Sequence, residues 1–141
     1  MSYPNSLRVR ELWLKMKAYI NNRIETLEQG ITMKVLWENP NPTAEFAAQT
    51  INVNLSGYTH YEVLFALNSA SYKDLQLSTG IVPIDKRAFL CYGWGDVNTV
   101  GTRNVSAITS NSIAFTVGYY NKATNNSYVI PIAIYGIKGV Q

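Results

Sequence analysis

The chain's one histidine, His60 in "YTHYE", and its one cysteine, Cys91 in "AFLCY", are the first residues to test for chemistry. A single His and a single Cys cannot build a metal site of the usual ligand spacing. A Ser-His-Asp triad is arithmetically open, but no G-x-S-x-G elbow or related turn accompanies it. His60, at a strand entry, reads as a surface residue. Cys91 lies in an apolar run and reads as a small buried hydrophobe, with no second cysteine for an internal disulfide. The acids beyond the N-terminal segment are Glu38, Glu45, Glu62, Asp74, Asp85 and Asp96. None forms a short motif, although carboxylates that meet only in space leave no trace of this kind. "GWGDVNTVG" (93–101) has the G-x-G of a phosphate loop, but Asn98 stands where the third glycine belongs and no helix follows. As a calcium loop it lacks the oxygen ligands and glycine required after Asp96 and Asn98. It reads as a loop displaying Trp94, and no cofactor or metal is expected.

What remains is aromatic display. Tyr58, Tyr61, Tyr72, Tyr92, Trp94, Tyr119, Tyr120 and Tyr128 gather near expected strand ends and loops. Tyr and Trp among Asn and Ser make adaptable contact surfaces, sugar rings included, at modest entropy cost. The blander reading, that most of these tyrosines are half-buried at subunit contacts, is favoured over sugar contact. The candidate ligand or host contacts are therefore Trp94, Tyr119, Tyr120, Asn125 and Asn126.

Two kinds of element must position these residues. Residues 6 to 29 form the one convincing helix: Ser6 can cap its start, Pro4 precedes it and Gly30 stops it. Val9, Trp13, Met16, Ile20, Ile24 and Leu27 recur at heptad-like spacing, with Arg23 on one strict heptad position. The stripe either packs on the protein's own sheet or meets copies of itself. Leu7, Leu12, Leu14 and Tyr19 widen the apolar surface, which favours self-association or docking. The expected division is a helix over 1–30 for oligomerisation and docking, and a β-domain over 31–141.

After Gly30 the period changes to two. "TMKVLW", "QTINVNLSGY", "HYEVLFAL", "LQLSTGIVPI", "RAFLCYGW", "TRNVSAI", "SIAFTVGYY" and "SYVIPIAIYGI" read as short strands separated by turn signals. Ile51, Val53 and Leu55 share one face; so do Tyr61, Val63, Phe65 and Leu67. Ile113, Phe115 and Val117 point inward, with Ala114, Thr116 and Gly118 outward, and Ile130, Ile132 and Ile134 share a face. Pro131 cannot donate to a ladder, so its strand is bulged there or lies at an edge. "NKATNNS" joins the last two strands into a terminal hairpin, with Asn125–Asn126 supplying the left-handed turn. The fold class is mainly β, an antiparallel, jelly-roll-like β-sandwich preceded by one N-terminal α-helix.

Composition agrees. Hydrophobic residues make up 47% and charged residues only 15%, below the usual share of about 25%. This is the profile of an all-β protein with a polar, uncharged surface, not of a disordered chain. The net charge of +3 is concentrated in the first 34 residues, where basic residues alternate with acids and apolars. That is a solvated helix face rather than a nucleic-acid footprint. The N-terminus lacks a secretory pattern, and the longest apolar stretch falls short of a bilayer span. A soluble chain made in reducing cytoplasm is expected, with neither nucleic acid nor membrane as partner.

"LWENPNPTAEFAAQTINVNLSGY" (36–58) and "SIAFTVGYYNKATNNSYVIPIAIYGIKG" (112–139) resemble the two ends of a β-domain common in structural proteins of tailed bacteriophages. The resemblance rests on L-W-x-N-x-x-P (Leu36, Trp37, Asn39, Pro42), F-x-x-Q-T (Phe46, Gln49, Thr50) and L-S-x-Y (Leu55, Ser56, Tyr58). At the C-terminal end it rests on Gly118, Tyr119, Asn125 and Asn126, then I-P-x-x-I-Y-G-I-K from Ile130 to Lys138. It covers about half the chain, leaves 59–111 unmatched, and none of its residues is catalytic. It implies a fibre, tail-tip or head-decoration module, usually homotrimeric, attached to other virion proteins through a helical N-terminus. A long shaft is absent here, which points to a short appendage in the virion.

The leading expectation is therefore a phage virion structural protein that oligomerises through its helix and projects the sandwich toward host-surface or glycan contacts. The alternatives are a fibre-borne carbohydrate-active enzyme, disfavoured by its scattered acids, and a small ligand-binding β-barrel, which has no use for a self-associating helix.

Overall fold

A computed structural model describes residues 6–71, 73–93 and 99–139, and only the backbone at 26–29. The Tyr72 and Trp94 readings, the Asp96 and Asn98 loop, the Pro4 signal and the Leu27 side chain lie outside the described residues. The chain divides into two compact units, Met1–Thr32 and Met33–Gln141.

The first unit contains helix α1, Ser6–Gln29. Gly30 follows with φ of 46°, the left-handed conformation that ends a helix and that glycine adopts without a Cβ penalty. No acid sits in its first turn and no base in its last, so its macrodipole has no charged complement at either end.

The second unit is a sandwich of two antiparallel sheets. The first sheet contains β1 (Thr32–Glu38), β3 (His60–Asn68), β4 (Gln76–Ser78), β5 (Val82–Pro83) and β11 (Tyr128–Lys138). Its order is β1-β11-β3-β4, with β5 also on β3. The second contains β2 (Gln49–Asn52), β6 (Phe89–Gly93), β7 (Val100–Thr109), β8 (Ser112–Phe115), β9 (Tyr119–Tyr120) and β10 (Ala123–Thr124). Its order is β10-β9-β7-β8-β2, with β6 on β7. Tyr61, Val63, Phe65, Ile130 and Ile134 from the first sheet meet Ile51, Leu90, Val105, Ile113 and Phe115 from the second in one buried cluster. Such a shared core is what period-two strands of modest length can build.

The alternation holds at Ile51, Val53 and Leu55, all buried, and at Tyr61, Val63 and Phe65, with Leu67 half-buried. Pro131 resolves as a bulge and not an edge: β11 lies between β1 and β3, and its register on β3 shifts between Pro131 and Ala133. The shift makes Ile132 the extra residue. Ile132 is half-buried, so it does not share the fully buried face of Ile130 and Ile134.

Four other expectations are corrected. "SIAFTVGYY" is two strands, both on β7 but interrupted at 116–118, where Gly118 is buried and Val117 only half-buried. The chain does not end in a hairpin of its last two long strands, because β8 belongs to the second sheet and β11 to the first. The local hairpin is β9–β10, turning at Asn121 (φ 48°) and Lys122 (φ 70°) instead of at Asn125–Asn126. A two-residue loop with both residues left-handed matches the twist of its flanking strands. Finally, Cys91 is exposed, because Leu90 and Tyr92 take the inward positions of β6.

Candidate functional site

Two surfaces carry the candidate residues. The first is α1, whose described side chains, Ser6 through Glu25, are all exposed. The stripe residues Val9, Trp13, Met16, Ile20 and Ile24 are among them, with Leu7, Leu12, Leu14 and Tyr19 beside them. These nine large apolar side chains keep 45–66% of their surface in water. The stripe with Leu12 and Tyr19 on its flank forms one apolar face, and Leu7 and Leu14 lie on the other side of the helix. An exposed apolar face of this kind marks an association site more often than a free surface.

The second surface is the end of the sandwich where residues 118–128 cross between the sheets. Asn125 and Asn126 are spent internally there. Asn126 Oδ1 accepts from the Gly118 amide at 3.1 Å, and Asn125 Oδ1 from the Ser127 amide at 3.1 Å. The Asn126 carbonyl also accepts from the Phe46 amide at 2.9 Å. Both side-chain oxygens are thus engaged in shaping the loop. Tyr120 stacks on Tyr128, with ring centroids 4.1 Å apart and planes 20° from parallel. Tyr119 is the member of the described set that faces solvent, 38% exposed.

The other tyrosines are structural as well. Tyr61 is fully buried and donates its hydroxyl to the Lys86 carbonyl at 2.9 Å; burial pushes its phenol up to about 12. Tyr92 lies across Gly101, its register partner on β7, and burial, with Tyr128 and Tyr120 nearby, raises its phenol as well. A Cβ at Gly101 would sit 2.2 Å from the Tyr92 ring, so only glycine admits the ring there. Tyr58 packs under the Lys138 ammonium, 4.9 Å from its ring centroid. The aromatic display is thus largely packing, and of the proposed contact residues only Tyr119 is placed outward among those described.

Arg103 is the residue that sequence reading missed. It is fully buried on β7. Its Nε donates to the Val129 carbonyl (2.7 Å), Nη1 to Thr116 (2.6 Å) and Nη2 to Tyr128 (3.2 Å). The guanidinium also lies 5.1 Å from the centroid of Phe46. Desolvation lowers its pKa to about 10, still well above neutrality, so it stays charged. It joins the second sheet to the first at the tyrosine end, and Gly118 leaves room for its Nη2. The signal was present in "VGTRNV": period two from Val105 and Gly101 places Arg103 inward.

His60 is half-buried with Nδ1 2.9 Å from Thr59 Oγ1. Among the described residues no three His, Cys, Asp or Glu side chains gather into a metal-holding group. The described ion pair, Lys86–Asp85, is exposed at 2.9 Å and contributes little. No described helix is long and apolar enough to cross a membrane. Comparison with protein-family models, with curated proteins and with solved structures returns no match.

Proposed function

We propose that this chain is a structural protein of a tailed-bacteriophage particle. On this reading it assembles as a homotrimer through α1, docks on other virion proteins by the same segment, and holds its sandwich outward toward the host surface. The carrying observation is the apolar helix in water. Helices in proteins draw most of their stability from packing an apolar face and not from intrinsic propensity. Here nine large apolar side chains remain exposed and no terminal charge supports the dipole. Copies of the same stripe supply the missing packing.

The energetics fit a concentration-dependent assembly. Each stripe side chain has about half its surface left to bury, worth about 1 kcal/mol apiece, or about 5 kcal/mol per chain. Association costs about 4–15 kcal/mol in lost freedom. The stripe alone reaches only the lower edge of that cost, so a reversible oligomer also needs burial of the flanking Leu12 and Tyr19.

The resemblance of 36–58 and 112–139 to phage β-domains supplies the virion part of this reading. Those two stretches are also neighbours in the fold: Asn39 donates through its backbone to the Ile132 carbonyl (2.7 Å) and through Nδ2 to that of Pro131 (2.8 Å). The virion role is tested by protein mass spectrometry on purified tailed-phage particles produced from a genome encoding this sequence. The reading expects the chain in particles after density-gradient purification, at a copy number divisible by three. Its presence in the lysate but absence from such particles would refute it.

A further inference from the structure

We propose that a cleft at Trp37 is a binding site for one neutral sugar residue. It lies where the β1–β2 loop crosses from the edge of the first sheet to the edge of the second, beside the 118–128 crossing, whose Asn126 carbonyl accepts from the Phe46 amide at 2.9 Å. The inference deepens the host-surface reading above and rests on it for its biological setting. The cleft has a volume of about 330 Å³. That is near the lower end of the roughly 300–1,000 Å³ typical of small-ligand sites, room for a sugar ring and not a long chain.

Its walls are chemically divided. Trp37, Phe46 and Ile51 supply the apolar side, and Asn41, Glu45 and Gln49 the polar side. The apolar side is anchored to the core: Trp37 meets Phe46 edge-on at 6.2 Å, and Phe46 meets Phe115 edge-on at 5.7 Å. The loop is held by its own bonds. Asn39 Nδ2 reaches the Pro131 carbonyl at 2.8 Å, and Asn39 Oδ1 accepts from the Asn41 amide at 2.9 Å. A site that is already braced loses little freedom on binding.

The polar side chains keep unused capacity. Asn41 Oδ1 accepts from Thr43 Oγ1 (3.2 Å), Glu45 Oε1 from Ser127 Oγ (3.3 Å), and Gln49 Nε2 donates to the Ala47 carbonyl (3.4 Å). The Asn41 amide nitrogen, Glu45 Oε2 and Gln49 Oε1 are not used in these bonds, and all three residues are exposed. Two planar amides and a carboxylate can bracket vicinal hydroxyls, with the carboxylate giving the stronger, charge-assisted bonds. The C–H face of a pyranose matches the aromatic wall. Among the described residues no Lys or Arg lines the cleft, and Arg103 behind Phe46 is fully buried. The exposed Glu45 carries a negative charge, so phosphates, uronic acids and sialic acids are disfavoured.

The test is a titration of the ¹⁵N-labelled full chain with the methyl glycosides of glucose, galactose, mannose and N-acetylglucosamine, with N-acetylneuraminic acid as the acidic control. At least one neutral glycoside is expected to shift the Trp37 indole and the Asn41 and Gln49 side-chain amides saturably, with a Kd on the order of 1 mM. N-acetylneuraminic acid leaves them unmoved. Trp37→Ala weakens binding at least tenfold. Should that variant fold poorly, the exposed Asn41→Ala and Gln49→Ala changes, which remove no core contact, each weaken it severalfold. No saturable shift with any of the four glycosides, or shifts that survive all three substitutions, would overturn the assignment. Light scattering on the same samples separates the two readings: an assembly that binds no sugar sinks the cleft alone, and a monomer that binds sugar sinks the trimer alone.

Discussion

Replacing Arg103 with methionine tests whether this buried cation holds the two sheets together. Methionine keeps much of the side-chain volume but removes the donors of the Val129, Thr116 and Tyr128 carbonyls and the contact over Phe46. The Val129 bond is buried and those to Thr116 and Tyr128 are part-buried. At about 1–3 kcal/mol for a carbonyl left without a donor, with the buried one at the upper end, the three cost about 6 kcal/mol. Against this, removing the charge relieves the desolvation that lowers the Arg103 pKa from 12.5 to about 10, about 3 kcal/mol at 1.36 kcal/mol per unit. The net expectation is a loss of about 3 kcal/mol in unfolding free energy. Urea denaturation followed by circular dichroism measures it, with the slope checked so that the midpoint shift reports stability. Arg103→Lys should lose less, because one ammonium can satisfy some of the carbonyls but cannot span all three. An Arg103→Met variant as stable as the parent would mean that desolvation outweighs the hydrogen bonds, as it does for some buried ion pairs, and the bracing role would be wrong.

Three further outcomes are expected. Gly101→Ala places a methyl 2.2 Å from the Tyr92 ring and should cost about 1–3 kcal/mol in the same denaturation assay; the double change with Tyr92→Leu should recover part of it. Lys122→Gly at φ 70° relieves a left-handed lysine and should raise stability by about 0.5–1 kcal/mol, read as a higher urea midpoint. Stability should also fall above pH 10. An unfolded tyrosine ionises near 10 while Tyr61 holds its proton to about 12, so the unfolded chain binds fewer protons in that window and about 1 kcal/mol is lost by pH 11 from Tyr61 alone. Tyr92 adds to the fall, whereas Arg103, depressed to about 10, acts in the opposite direction as its unfavourable charge is released. Comparing urea midpoints at pH 8 and pH 11 for the parent and Tyr61→Phe isolates the Tyr61 share.

The elements that could be read from sequence are those whose signals are local. Gly30 stops α1, and alternation in "HYEVLFAL" and "QTINVNL" assigns the buried faces of Tyr61, Val63, Ile51 and Leu55. The errors arose where a local pattern had two physical outcomes. "AFLCY" looked uniformly apolar, yet an alternating strand buries only Leu90 and Tyr92, so Cys91 faces out. "NN" is a stronger turn signal than "NK", but Tyr120 pairs with Ala123 and the turn falls on Asn121–Lys122. Pro131 announced a bulge, but not that the bulge would displace Ile132 from the face of its neighbours. The partner of β11 is β3, more than sixty residues earlier at His60–Asn68, and no local pattern encodes a pairing at that distance. The same limit hid the Trp37 cleft and the carbonyl partners of Arg103, since both depend on segments that meet only after folding, although alternation in "VGTRNV" does place Arg103 inward.

On the proposed function, α1 is the element that assembles the chain. The measurement that tests it most directly is light scattering coupled to size exclusion on the full chain, across a range of concentrations. The parent and a Met16→Asp, Ile20→Asp variant should be compared. The expected parent mass is about three times the 15.8 kDa of one chain, falling to 15.8 kDa in the variant with strand circular dichroism unchanged. The aspartates put charge into the buried seam of the assembly, where it is costly, while the sandwich core is untouched. A parent that stays at 15.8 kDa at every concentration, or a variant that assembles as the parent does, would contradict the claim.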